Sequence, residues 1–314
     1  LNAQHSSNIT LDKSYRISGH ESFPCRYTWL PKAVRGLHKN HEIFSDEEQA
    51  MVEFGLGKNM VRSARFWGQT TGMICSDRNK SVTDIGNAIL GLDGLDPFLE
   101  DIRTLWLIHW NLSTEIHTPL LAWDYLFNQW QEPELIPSLV LRALKKEASK
   151  FNNGISTTTI EQHFNVFLHT YFPTRGKKGK IQEDNLDCPL IELELIKKVG
   201  ERESTIGDRE SVYVFCREEK PEITPELFTY CLNDFWEKRH AMEATIPFSE
   251  VAHGRGSPGQ IFKLPEEDVR SRVEILDKSS KGVFLYTESA HLQQIQKKRQ
   301  TDRLKLLQAV YTNE

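Results

Sequence analysis

The chain has 314 residues, 39% apolar and 26% charged, with 39 Lys and Arg against 44 Asp and Glu and a formal net charge of −5. This is the composition of a globular protein long enough for two domains, and it confines any nucleic-acid surface to a local patch. No apolar run reaches the roughly 18–20 residues of a membrane span, and five scattered cysteines without a Cys-x-x-Cys pair suit a reducing cytoplasm better than a disulfide framework or a zinc site.

Residues 1–18 are polar and aperiodic and read as a tail or an edge strand. Leu1 is not a start methionine, so residues upstream of it are expected. Next comes Gly19-His20-Glu21-Ser22-Phe23-Pro24-Cys25-Arg26, a Pro-punctuated segment leading to a short helix over 32–38. His20 and Glu21 can serve a metal or an acid–base step. Neighbours on an extended chain point to opposite faces, however, and a structural role with Arg26 as partner is the alternative. Ser45 and Glu48 are spaced as a capping box for a helix ending at Phe54, with Gly55 as its stop.

The most informative stretch is 55–90. A helix over 58–71 gathers Met60, Ala64 and Trp67 on one side and Lys58, Arg62, Arg65 and Gln69 on the other. Its start, with Lys58 and Asn59 beside free backbone N–H groups, suits a phosphate. A short strand (73–75), a charged turn with Arg78 and Lys80, and a second strand-like step follow. The order is that of a winged helix, and from 57 to 80 five cations face one anion. A solvated helix face is the bland alternative. Thr83 is a good cap for the next helix, which carries Gly86.

Asp93, Asp96, Glu100 and Asp101 form an acidic cluster before an apolar helix (99–112), with Asp96 as its cap. Such carboxylates can hold Mg²⁺ or can simply cap turns. His109, inside that helix, reads as a satisfied core histidine. Helices are expected over 120–130, 137–151 and 158–172, then a basic loop (174–180) and a second acidic run with Asp184, Asp187, Glu192 and Glu194. A strand over 211–217, a helix from Thr224 to His240, then helix, helix and strand over 257–287 suggest a second, degenerate winged-helix unit. The remainder, 292–311, reads as helix. The expectation is a mainly α protein: a tail (1–18), a winged-helix-containing DNA-binding domain (19–135), a helical connector (136–185) and an α+β C-terminal domain (186–314).

No nucleophile elbow, dinucleotide fingerprint, P-loop, zinc-protease motif or Pro-Asp…Glu-x-Lys nuclease core is legible. Four separated segments do carry a resemblance: Gly19 to Lys32, Gly57 to Arg62, Leu95 to Trp110, and Asp184 to Leu190. Together they resemble the SspB-like family of bacterial DNA phosphorothioation systems, a domain of unknown function encoded beside enzymes similar to phosphoadenosine-phosphosulfate reductase. The resemblance implies a protein of anti-phage defence that binds double-stranded DNA and nicks one strand with Mg²⁺ or another divalent cation, so that the sulfur-transfer partner can act. A non-catalytic adaptor that recruits that enzyme is the alternative, and an ATPase partner and a homodimer are further expectations. On this reading His20, Glu21 and Asp84 are the catalytic candidates and Asp93 and Asp96 the metal ligands. Lys58, Asn59, Arg62, Arg65 and Gln69 contact DNA, joined by Arg26, Lys32, Arg78 and Lys80.

Overall fold

The computed structural model describes residues 14–76, 81–152, 154–173, 188–203, 207–289 and 292–312. It is mainly helical, with two small antiparallel sheets. Arg78 and Lys80, the basic loop 174–180, and Asp184 and Asp187 lie outside the described residues. No helix among those described is long and apolar enough to cross a membrane.

The first unit is a stack of three helices: α1 (Trp29–Lys39), α2 (Glu47–Phe54) and α3 (Lys58–Thr70). The cap of α2 is Asp46, whose side chain accepts from the Gln49 N–H, and not the expected Ser45. Gly55, left-handed at φ 62°, ends the helix, and the chain turns directly into α3. Where a wing is expected, the described residues show Ile74 and Val82 in one antiparallel bridge, and the turn carrying Arg78 and Lys80 lies outside them. Thr83 caps α4 (Asp84–Leu90) through the Gly86 N–H and donates its hydroxyl to the Gly72 carbonyl. A side chain at Gly86 would place its Cβ 2.0 Å from the Met73 carbonyl oxygen, so only glycine lets α4 close on this turn.

The central helix α5 (Ile102–Thr114) begins later than the sequence suggests. Asp101 caps it, while Asp96 stays in the preceding turn and Leu99 takes φ 63°. Against α5 packs α6 (Leu121–Asn128), and α6 in turn packs on α7 (Pro137–Ser149) and α8 (Thr157–Tyr171), which also touch each other. His109 is the core histidine expected, inside a directed chain. The Trp123 N–H donates to the Tyr171 oxygen, the Tyr171 hydroxyl to His109 Nδ1, and His109 Nε2–H to the Ile261 carbonyl. Burial lowers its pKa to about 3. The buried apolar residues form one cluster running from Ile17 to Val310.

Strands β1 (Glu134–Leu135), β2 (Ile196–Glu203) and β3 (Arg209–Phe215) pair in the order β1-β3-β2. Then come α9 (Pro225–Arg239), β4 (Thr245–Pro247), α10 (Phe248–His253), α11 (Pro258–Ile261), α12 (Glu266–Glu274) and α13 (Leu276–Ser279). The chain continues through β5 (Phe284–Ser289) and β6 (Leu292–Lys297) to α14 (Arg303–Tyr311). Residues 292–297 are thus a strand, not the start of the expected terminal helix. Their alternation of exposed and buried positions, with Ile295 inward, is a period of two that the many polar residues conceal. The second sheet has the order β4-β6-β5, with β5 and β6 as a hairpin. From α9 onward the order is helix, strand, helices and hairpin, with the last strand central in its sheet.

Candidate nucleic-acid interface

Helix α3 has two chemically opposed sides. Val61, Ala64, Phe66 and Trp67 are buried, and the Trp67 indole donates to the Phe23 carbonyl at 3.0 Å, pinning the helix to the segment before α1. Lys58, Asn59 and Arg62 are exposed, and Arg65 and Gln69 are half-buried along the same side. The residue before the helix, Gly57, supplies no capping side chain, so the first-turn N–H groups point outward beside Lys58 and Asn59. A ridge of cations on a rigid, tryptophan-backed helix is a surface that phosphates can occupy.

One carboxylate tempers it. Glu47 on α2 accepts from Arg62 at 2.6 Å and from Lys58 at 2.9 Å. Those two hydrogen bonds, Arg62 first, hold its carboxyl at about 2, well below the usual range. Both cations keep much of their surface in solvent, at 56% for Lys58 and 44% for Arg62, so the pairs are exposed and weak.

Arg16 is an addition the sequence did not suggest. The strand-like residues at 14–17 are anchored, with the Arg16 N–H donating to the Pro119 carbonyl at 2.9 Å. Its guanidinium lies 4.4 Å from the centre of the Phe66 ring and reaches Gln69 at 3.4 Å. Burial first, and the positive charge of Arg65 second, lower its pKa. A single Arg in a polar tail carries no periodic signal, so nothing in the sequence could have marked it.

Arg26 stacks near Phe23 and Trp29, with its guanidinium 5.7 and 5.4 Å from their ring centres. Lys32 donates to the Phe54 carbonyl at 2.5 Å and so closes the C-terminal end of α2. Both side chains have structural employment inside the three-helix stack.

His20 is buried. Its Nδ1 accepts from the Ser22 N–H, and its Nε2 sits 3.3 Å from Nδ1 of His163. His163 in turn accepts the Ala122 N–H on Nε2. The two inward nitrogens face each other across that 3.3 Å contact, while the outer nitrogen of each ring accepts a backbone N–H. Burial depresses His20 to about 4 and His163 to about 3. Glu21 and Ser22 both take left-handed φ, 50° and 63°, to turn the chain round the His20 ring. His163 was not among the expected residues; in the sequence it is one more helical histidine.

Asp84 lies elsewhere, on a cleft of about 550 Å³ shared with Gln69, Asn111, Glu115, Lys238 and Arg303. Asp93 lines a separate cleft of about 470 Å³ with His38 and Leu92. Asp96 is buried, and its two oxygens accept the N–H groups of Glu100 and Asp101. Glu192, from the second acidic run, accepts the Tyr27 hydroxyl. The catalytic and metal candidates thus stand in separate places, and no three of His, Cys, Asp or Glu among the described residues are grouped to hold a metal ion.

A family model described as a protein of unknown function (DUF4007) matches residues 17–311. The chain belongs to that family. Among solved structures, this DUF4007 protein is similar to a crystal structure of SspB and to a magnesium-ion-bound crystal structure of SspB. Each matches with a TM-score of 0.79 and 23% identity, covering 96% of this chain and 88% of the other. At that identity the likeness establishes a shared fold. No curated protein sequence matches this DUF4007 chain.

Proposed function

We propose that this protein is a DNA-binding component of bacterial phosphorothioate modification, gripping duplex DNA with α3 and serving a sulfur-transfer enzyme that alters the backbone. The observation that carries the binding is the outward ridge of Lys58, Arg62 and Arg65, extended by Arg16 and open at the uncapped first turn of α3. The fold shared with SspB and the four sequence segments support the modification context. In the complex, the cations neutralise phosphates and fix the register, while Asn59 and Gln69, on the same side, are the residue types that read adenine edges.

Strand nicking is a second reading, favoured by the magnesium ion of the SspB relative. The described carboxylates do not fit a magnesium site in this chain: Asp96 is satisfied by backbone N–H groups, and Asp84 and Asp93 face different clefts. No step is therefore assigned to a metal, and the adaptor role is the reading that the geometry supports better.

The test is electrophoretic mobility shift on short duplexes across a salt series, with supercoiled plasmid incubated in parallel with divalent ions or EDTA. Wild type is expected to bind with a steep salt dependence. The R62E/R65E double variant should lose roughly 100-fold in affinity at 0.1 M salt and show a slope shallower by about 2. An unchanged slope would remove α3 from the interface. Plasmid nicking that EDTA abolishes would restore the nuclease reading, and intact plasmid alongside normal shifts would leave the adaptor.

A further inference from the structure

The C-terminal elements run helix, strand, helices and hairpin, yet α12, the longest helix between β4 and the hairpin, carries the wrong charge for DNA. Glu267, Ser271 and Glu274 are exposed together on its outer side, with Glu266 at the start and Asp277 just past the end. Glu288 on β5, the hairpin strand, is exposed beside it and reaches Arg270 at 3.2 Å. The two arginines of α12 are drawn to its sides. Arg270 lies over the Phe248 ring at 4.6 Å and hydrogen-bonds Tyr286. Arg272 bonds Asp268 at 3.1 Å and the carbonyls of Lys220 and Ile223. Lys278 and Lys281 stand beyond the helix, at the base of the hairpin. A polyanion is repelled by this face; a cationic surface is attracted.

The same chain presents such a surface. On α3 the exposed cations Lys58 and Arg62, with Arg65, occupy one side of a helix, and the one carboxylate bonded to them, Glu47, is only loosely held because it is exposed. The geometry points to a head-to-tail contact in which the acidic α12 face of one copy seats on the cationic α3 face of a second. Ile275, 47% exposed at the end of α12, offers an apolar point within the patch. Because the two surfaces differ, each joined pair keeps one face of each sign open. Association then continues into short chains unless the rotation closes a ring. The contact needs only the charge of α3 and does not rest on the DNA reading.

Electrostatic attraction between exposed groups weakens once the Debye length falls below the spacing, about 10 Å at 0.1 M salt and about 3 Å at 1 M. Sedimentation velocity of the full chain over a concentration series at about 0.05 M salt should therefore show the weight-average mass rising past that of a monomer, and salt near 1 M should abolish the rise. The E267K/E274K and R62E/R65E variants, which change exposed or half-exposed side chains, should each remain monomeric with unchanged circular dichroism. Mixed together they should associate again, since the reversed α12 face of one now complements the reversed α3 face of the other. A wild type that stays monomeric at low salt overturns the proposal, as does association that persists in either variant or fails to return in the mixture. Adding a short duplex separates the two readings. Dissociation of the chains by DNA supports both, whereas rescue in the mixture without competition by DNA leaves the self-contact standing and removes α3 as the DNA surface.

Discussion

Helices α3 and α12 solve the same packing problem with opposite surfaces. Each buries an apolar side, Ala64 and Trp67 in one and Val269 and Val273 in the other. Topology alone would make α12 the better candidate for a DNA groove, because a hairpin follows it, whereas the described residues after α3 show one bridge. Charge reverses that ranking. In α3 Lys58 and Arg62 keep much of their surface in solvent despite Glu47; in α12 Arg270 and Arg272 pair with Glu266, Glu288, Asp268 and backbone carbonyls, and Glu267 and Glu274 reach solvent. Sharing an arrangement of elements therefore says little about which surface meets a phosphate backbone.

The two units should also respond oppositely to acid, and this is the largest effect expected. His20, His163 and His109 have pKa values depressed to about 4, 3 and 3. The unfolded chain takes up protons on these rings below about 6.5 while the folded one does not, so stability falls as pH drops from 6.5 towards 4. At pH 5 the loss is roughly 2 kcal/mol per ring. His240, beside Glu250 and Glu243 in the C-terminal unit, has its pKa raised, so its contribution is full at low pH and fades as pH rises through the folded value. Hydrogen exchange at pH 5 against pH 7 should show segments 14–24 and α8 opening before α9; uniform opening would break the contrast. Melting curves of His163→Gln should show a shallower fall between those pH values.

The next largest effect concerns the contact of α9 with α5 and α14. Asp234 is buried and holds Lys238 at 2.6 Å, Arg303 at 2.8 Å and the Trp110 indole at 2.8 Å. Burial alone would raise its pKa, but Lys238 and Arg303 more than reverse this, and the net shift is downward. Asp234→Ala leaves two cations close together without a counter-charge and should cost about 3 kcal/mol in chemical denaturation. A loss near zero would mean that the cations relax into solvent.

Smaller still is the effect of placing cations on the second face. E267K/E274K should keep the DNA affinity of the wild type or improve it several-fold at low salt, measured by fluorescence anisotropy with a labelled duplex. A marked loss would make α12 a DNA contact and erase the difference between the two faces. The smallest change expected is for Glu47→Gln, which releases Lys58 and Arg62: affinity should rise a few-fold at most. Titrating Glu47 by mild acid cannot substitute for the mutation, because its carboxyl stays ionised down to about 2.

The helices were legible wherever an apolar stripe repeated over two or more turns. The ridge of α3 and the satisfied state of His109 both follow from 3.6-residue periodicity and the cost of burying an unpaired ring. The misreadings arose where short polar side chains chose between neighbours. Asp46 capped α2 in place of Ser45, and Asp96 went to a turn while Asp101 took the helix. In 292–297, Gln and Lys disguised the central strand of its sheet, whose one fully buried apolar residue is Ile295. Arg16 and His163 depended on contacts 53 and 143 residues away in the chain, which no local pattern encodes.

The clasp of Glu47 on Lys58 and Arg62 has a consequence for how selective the ridge can be. A phosphate arriving there displaces a resident anion instead of filling bare positive charge, so the gain on contact is the difference between two partners of like sign. If α3 is the DNA surface, such an exchange would hold arbitrary polyanions weakly and favour a ligand whose spacing engages Arg16 and Arg65 as well.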